Sequence, residues 1–161
     1  MLSTVQFWQA SVSIYSHTGV QSLMLHWQDS YNVNVNLCLL MCVLDKKKLK
    51  VSTDQLQTLE DAIQAIHQEL TGPQRAIRRA VNTSLVDRMH QTSLKQQCLN
   101  LELAFEKLEQ HALVARLQSI HLQPSEAPFE NLHLYLDMKN VTTTEEERQT
   151  VTEATIEISL F

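Results

Sequence analysis

The sequence predicts a mainly α-helical fold, a compact bundle of about six helices with a C-terminal appendage, and three observations carry that expectation. Apolar residues recur at spacings of three and four through most of the first 117 positions. Only two glycines and three prolines occur in 161 residues, which argues against a turn-rich sandwich or barrel and against any glycine-rich phosphate loop. Apolar residues make up 43% and charged residues 19%, enough to bury a core, so global disorder is excluded.

The first helix is expected over residues 4 to 17, where Val5, Trp8, Val12 and Tyr15 form one stripe. Thr18-Gly19 interrupts it, and Val20 to Tyr31 resumes with Leu23 and Trp27 on one side. Asn32 tolerates the left-handed conformation that ends a helix, and Asn34 is placed to cap the next. The run from Val35 to Leu44 is apolar on all sides apart from Asn36, so it is the expected central, fully buried helix. Lys46, Lys47 and Lys48 follow it, favourably placed at a helix C-terminus.

Ser52-Thr53-Asp54 opens a fourth helix with the stripe Leu56, Leu59, Ile63, Ile66 and Leu70. Thr71-Gly72-Pro73 is expected to stop it, with Pro73 in the first turn of a fifth helix carrying Ile77, Val81 and Leu85. Residues 87 to 92 read as a polar connection. Leu94, Cys98, Leu101, Phe105, Leu108, Ala112 and Ala115 then alternate by four and three, a heptad seam expected to pack within the bundle along the longest helix, residues 94 to 117.

From Ser119 the pattern changes, so the domain reading is residues 1–118 as the helical domain and 119–161 as the appendage. Leu132, Leu134, Leu136 and Met138 alternate with polar neighbours, and Ala154, Ile156, Ile158 and Leu160 do the same, which predicts a small β-hairpin. A helical alternative fits nearly as well: Thr143 or Thr144 would cap it, Glu145 to Glu147 would fill its first turn, and Val151, Ala154, Ile158 and Phe161 would share a face. A lone hairpin is marginal in water. The tail is therefore expected to pack on the helical body or, by strand addition, to form a homodimer.

Asn36 is the polar residue inside the central apolar helix, and its amide needs partners, since leaving it unpaired would cost about 1–3 kcal/mol. Arg75 and Arg79 lie one turn apart, as do Glu102 and Glu106, so two ladders can meet across neighbouring helices. Asn36, Arg75, Arg79, Glu102 and Glu106 are therefore the candidate site. They form either a buried ionic network that fixes helix register or a cleft that recognises an anion.

No GxSxG, Walker, HExxH, CxxC or DxxxD motif occurs. Cys38 and Cys42 sit among Leu, Met and Val and read as core, and the histidines have no ligand spacing, so neither metal nor cofactor is expected. The net charge of −5 does not favour nucleic acid or an anionic membrane, and no apolar stretch reaches the roughly 20 residues of a spanning helix. Met1 to Ala10 lacks the basic-then-apolar order of a signal segment, and the cysteines form no disulfide framework, so the expected location is cytoplasmic. The expected function is a non-enzymatic interaction or adaptor module with a protein partner. The alternative is a small-molecule enzyme or binding protein using the Asn/Arg/Glu cluster for an anionic ligand.

Several pieces together carry a resemblance: Phe7-Trp8 with Tyr15 and Gly19-Val20, then Gln28-Asp29, then Val35-Asn36-Leu37-Cys38-Leu39-Leu40. Pro73 with Arg75 and Arg78-Arg79, and Glu102-Leu103 with Glu106, continue it. In register over about residues 5 to 117, the chain resembles a family of small helical gammaproteobacterial proteins of unknown function. The resemblance implies a helical fold and a cytosolic setting, and implies no activity. The chain departs from the family pattern where glycine usually follows the Gln-Asp pair and Asn32 stands here, and the tail from 119 onward lies outside that pattern.

Overall fold

The computed structural model describes residues 2–83 and 88–159. Its helices are α1 (Thr4–Tyr15), α2 (Val20–Tyr31), α3 (Val35–Lys46), α4 (Thr53–Ile66), α5 (Gly72–Thr83), α6 (Arg88–Leu117), α7 (Glu130–Met138) and α8 (Glu145–Glu157). The mainly α class is as the spacing predicts. Two short strands, β1 (Leu49–Lys50) and β2 (Gln123–Pro124), pair antiparallel with Leu49 opposite Pro124 and Lys50 opposite Gln123.

Local chemistry sets the helix starts. Ser3 and Ser52 make capping boxes with Gln6 and Gln55, each serine oxygen accepting from the N3 backbone while the glutamine returns a bond to the cap N–H. Asn34 Oδ1 accepts from Leu37 N at 3.0 Å and starts α3. Asn32 ends α2 in the left-handed conformation at φ 55°. Around α3 the bundle closes: Asn36 through Leu44 are all buried, and α1, α2, α6, α7 and α8 pack on it. With neighbours on every side, α3 has no face left for polar residues.

Three expectations fail in instructive ways. First, Thr71-Gly72-Pro73 does not stop α4. His67–Thr71 form a π-helical turn, and the chain runs on into α5. Pro73 has no N–H to continue an α-helical ladder and its ring crowds the carbonyl four residues back, and one widened turn relieves both. Gly72 N–H donates to His67 O, the five-residue bond of a π turn, and a Cβ on Gly72 would lie 3.1 Å from that oxygen. Residues 88–92, expected as connection, are the opening turns of α6, while Leu85 lies outside the described residues.

Second, the expected apolar stripes of α1 and α6 face outward. Val5 is 67% exposed, and on α6 Leu101 and Leu108 are 45% and 44% exposed. The core face of α1 is Phe7, Ala10, Ser11 and Ile14, and that of α6 is Glu102, Glu109, Gln110, Leu113, Val114 and Leu117. On α6 a polar stretch faces inward because α5, the π turn before it and the N-terminal end of α3 offer it polar partners, so hydrogen bonding replaces apolar burial there.

Third, the tail is helical, and the expected β-hairpin is absent from the described residues. On α7 the buried set is Asn131, Leu132, Tyr135 and Leu136, a helical face that the Leu-x-Leu-x-Leu alternation conceals. Thr144 caps α8 in a capping box with Glu147, Glu145 to Glu147 fill the first turn, and Val151, Ala154 and Thr155 are buried; Leu160 and Phe161 lie outside the described residues. Both segments expected to pair as the hairpin are therefore helices, and the strand of the tail, β2, pairs with β1 instead.

The tail instead docks on the bundle. Asn131 N and Leu132 N donate to Asp45 at 3.0 and 3.1 Å, so a carboxylate from α3 caps α7. The Asn131 amide donates to Asp45 Oδ1 and Leu49 O and accepts from Val51 N at 2.9 Å. Lys46 Nζ donates to Ile156 O at 2.5 Å, placing a cation at the C-terminal end of α8. Among the described residues no helix is long and apolar enough to cross a membrane.

Candidate functional site

Helices α1, α2, α3, α5 and α6 enclose a cleft of about 650 Å³. The outward stripe of α1 forms one wall through Trp8, Val12 and Tyr15, and Leu25, Leu39, Leu99 and Leu103 add apolar surface from α2, α3 and α6. Lys107 holds its ammonium 4.8 Å from the Trp8 ring centroid. Residues that look like core in a helical wheel are thus the lining of a concavity.

The charged lining consists of three arginines and three carboxylates, and they neutralise one another. Arg75 Nε donates to Glu102 Oε1 at 3.0 Å, and its Nη2 donates to Glu106 Oε1 at 3.2 Å. Arg78 reaches both Glu102 oxygens, at 2.6 and 3.2 Å, in a fork-type pair. Its hydrogen bond to Glu102 raises the Arg78 pKa further. Arg79 turns away to Asp29 at 3.0 Å, in a pair whose side chains are both mostly exposed. Burial raises the Glu106 pKa against the opposing pull of Arg75, and burial followed by the Glu106 charge raises that of Tyr15.

Behind this wall lies a second polar cluster centred on Glu109, whose side chain is 1% exposed. Thr71 Oγ1 donates to Glu109 Oε1 at 2.6 Å, and His67 Nδ1 lies 3.2 Å from the same oxygen. Asn34 Nδ2 and Asn36 Nδ2 donate to Oε2 at 3.1 and 2.9 Å. Burial alone would push this carboxyl up, but the bonds from His67, Thr71, Asn36 and Asn34 together hold it below the ordinary range. The π turn carries both His67 and Thr71, so the backbone irregularity at Pro73 is what aims two donors at one carboxylate.

The five residues singled out from sequence are therefore divided. Arg75, Glu102 and Glu106 converge, Arg79 lines the same cleft but pairs with Asp29, and Asn36 stands one residue behind the wall. The partners of Asn36 are Glu109 and Gln110 rather than the arginines or Glu102 and Glu106, because α6 presents its next turn to α3. Arg78, which the i, i+4 ladder passes over, makes the closest contact to Glu102. Sequence reading missed Glu109, Gln110, Thr71 and Ser11. The one available signal was Glu102, Glu106, Glu109 and Gln110 recurring at helical spacing on a face that the heptad assignment sent to solvent.

Ser11 Oγ, Gln28 Oε1 and Gln110 Oε1 are shut off from solvent and have no hydrogen-bond partner within the protein. All three residues line the cleft. Among the described residues no group of three or more His, Cys, Asp or Glu could hold a metal ion.

A mainly helical protein with a charge-balanced, polar-seamed cleft between its first three and its fifth and sixth helices is the class that fold and site define. The chain belongs to the family described as Protein of unknown function (DUF2390), whose model matches residues 6–113. That span contains every lining residue of the cleft, from Trp8 to Gln110, and stops short of α7 and α8. No curated protein and no solved structure matches the chain.

Proposed function

We propose that the protein binds a small organic molecule in the cleft between α1, α2, α3, α5 and α6. The observation that carries this reading is the coincidence of the three unpartnered buried atoms, Ser11 Oγ, Gln28 Oε1 and Gln110 Oε1, with one concavity. A buried polar atom left unpaired costs about 1–3 kcal/mol, so an outside donor, from water or a ligand, that reached these atoms would be stabilised there. The volume of about 650 Å³ and the mainly apolar wall match an organic small molecule. Within this reading Asn36, Arg75, Arg79, Glu102 and Glu106 act as binding and supporting residues.

Native mass spectrometry of protein purified from cell extract tests the reading. Wild type is expected to carry a small molecule that is lost from a Val12→Trp, Leu103→Trp variant, in which two half-exposed lining positions fill the cleft without touching its polar seam. Equal occupancy of both proteins, or none in either, overturns the reading.

The second reading is an interaction module, and one observation favours it. Leu94, Leu101 and Leu108 form an exposed apolar line on α6, seven residues apart, with Phe105 and Ala112 half-buried beside them. The occupant that fits a continuous heptad line of about four turns is the same helix of a second copy. Sedimentation mass decides it: a dimer that Leu101→Glu, Leu108→Glu converts to a monomer supports this reading, and a monomeric wild type overturns it.

A further inference from the structure

We infer that the cleft selects ligands carrying a protonated amine, read by Gln28, Gln110 and Glu106. This rests on the small-molecule reading above and specifies the chemical class of the ligand.

The inference starts from the orientation of an amide. The oxygen and nitrogen of a glutamine are nearly alike in shape, and a hydrogen-bond network must decide between them. Here the network has one consistent solution. Glu109 is an acceptor only, held ionised by its donors, so the group of Asn36 that faces it at 2.9 Å must be the NH2. The Asn36 oxygen then points to Gln110, and the group of Gln110 that meets it at 2.9 Å must be the NH2 in turn. The Gln110 oxygen is left buried and unpartnered, on a residue that lines the cleft. The Glu109 carboxylate, on the same inward face of α6, thus fixes the hydrogen-bonding polarity of Gln110 through two amides. Thr71 and His67, on the π turn, hold that carboxylate in place.

The rest of the lining agrees. Gln28 contributes a second unpartnered buried oxygen. Glu106 lines the cleft with its side chain about one-third exposed; Arg75 bonds its Oε1, and burial still raises its pKa, so its anionic form gains from an added positive charge. The arginines offer little to an anion. Arg75 and Arg78 are engaged with Glu102 and Glu106, and Arg79 with Asp29, and an incoming anion would have to compete with these pairs. The surplus is in acceptors. An ammonium group supplies up to three donors and a charge, and the apolar wall of Trp8, Leu25, Leu39 and Leu103 receives a hydrocarbon or aromatic body.

Three probes of one skeleton separate the possibilities: 3-phenylpropylamine, 3-phenylpropanol and 3-phenylpropionate, titrated into the full chain while side-chain amide and Trp indole resonances are followed by NMR. The amine is expected to bind at least tenfold more tightly than the alcohol and the carboxylate, with the largest shifts at the Gln28 and Gln110 amides. The Glu106 carboxyl 13C titration midpoint is expected to move down when the amine is present. Gln110→Met should weaken the amine at least tenfold. Because that change strands Asn36 Oδ1 and can unfold the protein, Gln28→Met, at a half-buried position, gives the same comparison with the Glu109 network intact. If the alcohol or the carboxylate binds as tightly as the amine, or Gln28→Met leaves amine affinity unchanged, the amine inference falls and the small-molecule reading stands. If none of the three shifts a lining residue, both fall.

Discussion

Thr71 donates its hydroxyl to the Glu109 carboxylate at 2.6 Å, joining the π turn between α4 and α5 to the middle of α6. A neutral donor on a buried anion is among the stronger hydrogen bonds a protein makes, contributing about 1.5–3 kcal/mol. Thr71→Val keeps the shape and removes the donor, so it should lower stability by about that amount. Denaturant midpoints at constant slope measure it, and a change below about 0.5 kcal/mol would mean the bond contributes nothing net.

A buried and a half-buried carboxylate, Glu109 and Asp45, should respond to pH in opposite senses. Glu109, held below the ordinary range, contributes stability that is present above its unfolded pKa near 4.3 and is lost as pH falls through its folded value. Asp45 is pushed up to about 6 by burial, against the N–H bonds from Asn131 and Leu132. Its folded form holds the proton more tightly than the unfolded chain does. Its contribution is therefore full below about pH 4 and declines as pH rises through about 6. The stability difference between wild type and Asp45→Asn should shift against wild type between pH 4 and 7, and the Asp45 carboxyl 13C signal should titrate near 6. A titration midpoint near 4 would contradict this.

Arg75 and Arg79 are one helical turn apart and should behave very differently. Arg79 and Asp29 are exposed, so Arg79→Ala should change stability by no more than about 0.5 kcal/mol. Arg75 is mostly buried between Glu102 and Glu106, and Arg75→Ala leaves Glu106 without its ion-pair partner, a loss of about 3 kcal/mol. Thermal melts of the two variants side by side test the contrast, and equal shifts would refute it.

The tail should matter to the central helix through one phenol. Asn34 N donates to Tyr135 Oη at 2.9 Å, so α7 supplies the acceptor for the N-cap residue of α3. Tyr135→Phe strands that buried N–H and should cost about 1–3 kcal/mol. Hydrogen exchange of the Asn34 amide gives a local readout, which should quicken in the variant beyond what the global loss accounts for.

How far the site was legible follows from the kind of signal each residue carried. Asn36 announced itself as an amide in an apolar run, and Arg75, Glu102 and Glu106 as ladders of opposite charge, because those features are visible one helix at a time. Glu109 and Gln110 looked like surface residues, since nothing local marks a polar face that will be buried by polar neighbours. The two acceptor oxygens of the cleft are invisible in any sequence, as their unpaired state depends on what four other helices fail to supply.

By itself the sequence determined the helices of the first 83 residues, the caps at Asn34 and Ser52, and the burial of α3. A 3.6-residue period, Asn34 and Ser52 before helical runs, and an apolar stretch with no polar face are local properties that any tertiary arrangement must respect. Only the tertiary structure decided which stripe of α1 and α6 turned inward, whether the Leu-x-Leu alternation near residue 134 was strand or helix, and which donors met Glu109. The reason is that helical and strand periods coincide over short runs, and a helix with apolar residues on two faces has no intrinsic inside. Packing chose between them: polar partners on α3, the π turn and α5 drew the glutamates of α6 inward, and the leucines left over face the cleft and the solvent.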